Sequence, residues 1–191
     1  MHGEDISNGG TVLKFARRRW SVAALTIVAL VVAAYSLTAN WYRTSIPFWD
    51  GTSTWVIGLD SIELHPQGGS GPYSDSIMDF MRWVYDFALV WFVLTSGFLV
   101  SSLVEGKGRG LISGIGSSVV GLGVVVTFAI GIDGAIRGVY GWDSTWPHGF
   151  LGSASMTWEW GPLEGWWTFL IAVIIQSFSL VVRSVFLDRD V

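Results

Sequence analysis

Four long apolar runs divide the sequence, at residues 21–39, 83–104, 111–132 and 166–187. Each is about the 20 residues that a helix rising 1.5 Å per residue needs to cross roughly 30 Å of hydrocarbon. The pattern predicts an all-α membrane fold, a four-helix transmembrane bundle. Around the spans lie an N-terminal segment (1–20), a first outer loop (40–82), a short turn (105–110), a second outer loop (133–165) and a tail (188–191). Within the N-terminal segment, residues 1–10 read as a loose tail. Residues 11–20 read as a short basic interfacial helix with Val12, Leu13 and Phe15 toward lipid.

Both outer loops predict local structure. Residues 54–64 are rich in β-branched and aromatic side chains and alternate polar with apolar from Asp60 onward, as a half-buried strand does. Asp50-Gly51 ahead of this run and Pro66 with the Gly/Pro-rich residues 68–72 after it are turn signals. A small extracellular β-containing cap on the bundle follows. Ser74 or Asp75 can cap a helix that starts near Ser76 and runs on into the second span. The second loop, broken by Pro147, Pro162 and many glycines, predicts compact turns with one short strand. In the third span Ser113, Ser117 and Gly121 recur at i+4, as do Gly123, Thr127 and Gly131. Such stripes let helices approach closely, which marks this span as the central helix and offers its second stripe to a neighbouring subunit.

Charge sets the orientation. Lys14, Arg17, Arg18, Arg19, Lys107, Arg109, Arg183 and Arg189 fall on one side, leaving Arg43, Arg82 and Arg137 for the other. Loops rich in Lys and Arg stay cytoplasmic, so both termini are expected inside a cell membrane crossed four times. The outer side then carries ten acids against three bases, the inner side five against eight, and the sum is the net charge of −4. An acidic outer face argues against a nucleic-acid partner, and the basic inner rim suits anionic lipid headgroups. The first run loosely fits a cleaved signal peptide ending at Leu37-Thr38-Ala39. It is long for one, so an uncleaved signal-anchor is expected.

Ten of the twelve tryptophans, all but Trp20 and Trp91, lie in or beside the outer loops. That exceeds what a headgroup belt requires. The surplus forms either a folded cap core or a contact surface, for which Trp142, Trp146, Trp158 and Trp160 are the candidates. Asp79, Arg82 and Asp86 share one helical face and form a candidate ion-paired junction between span and cap. Asp86 alternatively binds a proton or cation at an outer vestibule. Gln176, deep in the fourth span, is expected to hydrogen-bond between helices. No cysteine is present, and His2, His65 and His148 all fall outside the spans, which excludes thiolate sites and bis-histidine haem between helices. No cofactor, metal or catalytic residue is expected. The glycines of residues 105–110 lack phosphate-loop spacing, and nothing matches a nucleophile elbow or dinucleotide fingerprint.

The layout resembles the claudin and peripheral-myelin-protein group of four-span membrane proteins. Trp41 corresponds to that family's first-loop Trp, Gly58-Leu59 to the start of its Gly-Leu-Trp motif, and Arg82 to the Arg where its second span begins. Asp60 replaces the motif Trp, and the family's cysteine pair is missing. The resemblance implies a non-enzymatic adhesion or protein-contact role through the outer loops, with lipids and another membrane protein, or a second copy, as partners. Two alternatives stay open: an accessory subunit of a larger respiratory or transport complex, and a small channel or transporter using Asp86.

Overall fold

A computed structural model describes residues 5–48, 51–65, 75–104, 109–140, 150, 152–155 and 158–186. In chain order these form helix α1 (Asp5–Thr38), strands β1 (Tyr42–Phe48), β2 (Gly51–Ile57) and β3 (Ile62–His65), and helices α2 (Asp75–Val104) and α3 (Arg109–Tyr140). Strands β4 (Gly152–Ser155) and β5 (Trp158–Pro162) and helix α4 (Glu164–Phe186) complete the fold. Four stretches, Arg19–Thr38, Ile77–Val104, Gly110–Ile136 and Glu164–Val185, are long and apolar enough to cross a membrane. No more than about a third of the most apolar window of each is buried within the chain. Val31, Val93, Ile112 and Ile130 instead point outward. Helices apolar inside and out have the surface of a bundle bathed in lipid.

Two helices outrun their expected ends. α1 starts at Asp5 and takes in residues 5–10 of the expected loose tail and the separate interfacial helix, because extending an existing helix adds a hydrogen bond for each residue fixed. α3 continues past Ile132 to Tyr140. Gly134 and Gly138 do not stop it, since an interior glycine costs only ~1 kcal/mol while Ile136 is buried. α2 begins at Asp75, one residue from its expected start. α1 and α3 each pack against both α2 and α4, so the helices form a ring and α3 is not a central helix.

The sheet lies at one end of the bundle in the order β3-β2-β1-β5-β4, every pair antiparallel. The run expected as one strand over 54–64 is broken by a turn, in which the Gly58 N–H donates to the Ser61 carbonyl at 2.8 Å and Leu59 drops into the core. The second loop gives two strands rather than one. Alternation places Tyr42, Thr44, Trp55, Ile57 and Trp160 on the bundle side and leaves Arg43 and Glu63 exposed on the other.

A short chain segment ties sheet to bundle. The Trp41 N–H donates to the Ile57 carbonyl, the Leu163 N–H to the Trp41 carbonyl and the Gly165 N–H to the Asn40 carbonyl, all at 2.8 Å. The exit of α1 and the entry of α4 are thereby joined. Beneath this joint the Trp41 ring meets Phe128 edge-on at 5.2 Å and Phe169 at 5.5 Å, and Phe169 meets Trp91 at 5.3 Å.

Candidate functional site

Three of the four family-like positions meet at that joint. Trp41 is fully buried and its indole N–H donates to the Ser36 carbonyl at 2.7 Å. Gly58 sits beside it, where a Cβ would lie 3.6 Å from Asn40 Oδ1. Leu59 is buried in the same core cluster. Arg82 stands apart on α2, mostly exposed, with Nη1 3.9 Å from Asp79 Oδ1. An ion pair so exposed is worth ~0.2–1 kcal/mol at most. Asp86 is exposed one turn below Trp83, about 27 Å along α2 from Val104.

The expected tryptophan contact surface lies only partly in view. Trp160 is half-buried in the bundle-facing row of the sheet, opposite Thr44 and Gly152. Trp158 opens β5 opposite Ser155, with its side chain outside the described residues, and Trp142 and Trp146 also lie outside them. Trp41, Trp55 and Trp166 belong to the core, whereas Trp83 and Trp167 are exposed on the helices. Tyr42 shows how closed the joint is. Burial chiefly, and the Asp133 carboxylate second, push its phenol far above the usual range, so it stays protonated and donates to the Phe150 carbonyl at 3.2 Å.

Inside the bundle runs a polar seam that hydropathy hides. Gln176, Ser179 and Arg183 occupy one buried stripe of α4. Gln176 Nε2 donates to Ser117 Oγ at 3.3 Å, and Ser179 Oγ lies 3.0 Å from Thr26 Oγ1 of α1. The Arg183 guanidinium, counted in the sequence as a rim charge, is 3% exposed. It donates to Ser102 Oγ at 2.6 Å, lies 5.3 Å from the Phe98 ring centroid and fills the space a side chain at Gly110 would take. The serine spacing on α2 and α4 was the available signal. A lone Arg at a helix end reads as a topology marker.

On the outside of the bundle, α2 and α3 form an apolar groove of about 410 Å³, lined by Trp83, Val84, Phe87, Val120, Gly123 and Thr127 among others. Of the first small-residue stripe of α3, Gly121 lies against neighbouring helices, as does Gly114 beside that stripe. Of the second, Gly131 is covered by Phe80, whereas nothing lies within 4 Å of a Cβ on Gly123. Among the described residues no three His, Asp or Glu side chains gather as a metal site would require. No protein-family model matches the sequence, and comparison with curated proteins finds no match.

Proposed function

We propose that this chain is a four-span membrane protein with both termini cytoplasmic and a non-enzymatic contact role, built on a claudin-like plan. The observation that carries the reading is the single sheet. Strands from both outer loops join through the β1–β5 pair and are tied to the helices at Trp41, Leu163 and Gly165. Two separate loops become one platform whose backbone geometry is fixed before any partner arrives, and preorganisation of this kind lowers the ordering cost of association. The contact itself belongs to the outward side of the sheet and to the second-loop tryptophans Trp142, Trp146 and Trp158. Trp160 lies in the bundle-facing row of the sheet and is left out of that surface.

Alanine replacement of Trp142, Trp146 and Trp158 together is expected to abolish capture of the partner, or of a second copy, in native membranes while leaving the helical circular dichroism unchanged. Undiminished capture would refute the contact role. Orientation is tested separately. Tags at Met1, after Gly108 and at Val191 should be shielded from reagents outside intact cells, and a tag within residues 68–71 accessible.

A lateral role as an accessory subunit is favoured by one observation, the groove open at Gly123 between α2 and α3. The transport reading rests on Asp86 alone, and its exposed position beside Phe87 on α2 gives that reading no further support.

A further inference from the structure

Three helices each bring a buried polar side chain to one level of the bundle. Trp91 of α2 and Val173 of α4 close on Gly121 of α3, where a Cβ would lie 2.6 Å from the indole nitrogen and 2.7 Å from Val173 Cγ2. Two turns farther from the sheet, Phe98 of α2 and Leu180 of α4 close on Gly114 in the same manner. The turn between these layers is occupied by Thr95, Ser117 and Gln176, each fully buried and each one helical turn from its neighbour in the upper layer. This level therefore holds polar atoms that need partners inside the bundle.

The hydrogen bonds there do not close among the described residues. Ser117 Oγ donates to the Gly114 carbonyl at 2.9 Å, so it accepts from Gln176 Nε2. The carboxamide is thereby oriented, and its Oε1 is left without a partner. Thr95 Oγ1 is in the same state, although Thr26, Ser101, Ser102 and Ser117 all return their hydroxyls to carbonyls of their own helices. The third orphan is Trp91 Nε1–H, one turn from Thr95. An acceptor, a donor and a hydroxyl that is both are thus buried on adjacent turns of α2 and on α4, and a buried polar group left without a partner is costly.

We propose that Trp91, Thr95 and Gln176 hold an ordered water molecule between α2, α3 and α4. It accepts from the Trp91 N–H, donates to Gln176 Oε1 and exchanges a hydrogen bond with the Thr95 hydroxyl, a coordination ordinary for buried water. The aromatic contacts of Trp91, Phe169 and Trp41 close the way toward the sheet.

The test uses the full chain labelled with ¹⁵N-tryptophan in detergent or nanodiscs, with the Trp91 indole assigned by its disappearance in Trp91→Phe. A through-space cross-peak between the Trp91 indole proton and water is expected. It should be lost, with a shift of the indole resonance, in both Gln176→Leu and Thr95→Val. Trp41, whose N–H is taken by the Ser36 carbonyl, should keep its resonance and report that the fold is intact. A wild-type indole without the cross-peak overturns the proposal, as does a peak that persists in Gln176→Leu, where proton exchange through the Thr95 hydroxyl remains the source. If Gln176→Leu fails to fold, an experimental density map decides. A peak within about 3 Å of both Gln176 Oε1 and Thr95 Oγ1 sustains the site, and a map that shows other buried waters but none here removes it.

Discussion

Gly121 and Gly123 stand two residues apart on α3, one beneath the Trp91 indole and the other open to the outside. Adding a methyl group to each separates internal packing from lateral contact. Gly121→Ala forces its Cβ into Trp91 and Val173 and is expected to cost about 1–3 kcal/mol, read as a lower thermal midpoint in detergent. Gly123→Ala meets nothing and should leave that midpoint unchanged or slightly raised. Equal effects at the two positions would show that α3 is rotated relative to the arrangement described. Arg183 gives a second prediction at this scale. Its Nη1 donates to Ser102 and, at 3.4 Å, to Ser101 while the planar guanidinium lies by the Phe98 ring, an arrangement a lysine does not reproduce, so Arg183→Lys should cost roughly 1.5–3 kcal/mol in unfolding measurements. Hydropathy could not reveal such a site. Gln176 was legible as an interhelical hydrogen-bonding group, whereas Arg183 is a single charge at the end of an apolar run whose burial depends on the neighbouring helix carrying Ser102.

Among the elements, the helices were legible because each apolar run is long enough to exclude other structures, whereas the strands were legible only where alternation is strong. β1 escaped notice because its bundle-facing row includes Thr44 and its sequence contains Pro47. The turn at Gly58–Ser61 went unread because Leu59 continues an apolar pattern while the backbone reverses. The ladder between β1 and β5 joins residues too distant in sequence for any local pattern to signal. Tyr42 of β1 provides a pH test of the joint between sheet and helices. Folding raises its pKa above the unfolded value of about 10, so its stabilising contribution is complete below pH 10 and declines as pH rises beyond it. Tyr42→Phe should therefore cost about 0.5–1.5 kcal/mol near neutrality and lose less stability than the wild type between pH 10 and 12. Parallel pH profiles for the two proteins would show that the phenol is not enclosed. At the same joint, a Cβ on Gly165 would meet the Trp41 ring and lie 2.8 Å from the Asn40 carbonyl oxygen. Gly165→Ala is expected to loosen the sheet while sparing the helices, measured as faster amide exchange at Leu163 and Trp41 with unchanged helical content.

For the whole molecule, the ring of helices explains why one side remains available. α2 and α3 pack closely at Gly114, Gly121 and Gly131 yet part around Gly123, where Trp83 and Phe87 stack at 6.1 Å on the rim of the groove. An inserted side chain there alters the outer surface without touching the core. Gly123→Leu should thus leave the monomer's thermal midpoint unchanged. It should also reduce recovery of any laterally bound subunit from native membranes, and recovery equal to wild type would remove the accessory-subunit reading.

The pairing of Thr44 with Trp160 also imposes an order on biosynthesis. At about 5–20 residues per second, β5 leaves the ribosome on the order of ten seconds after β1. Throughout that interval the first three strands form a ribbon whose β1 side has no neighbour, an edge prone to pairing with the wrong chain. The gap closes only when α4 enters beside α1 and brings Leu163 and Gly165 to the carbonyls of Trp41 and Asn40. Maturation of the sheet is therefore coupled to insertion of the last helix. A released chain truncated before residue 158 should be degraded or retained by quality control even though its first three helices are complete.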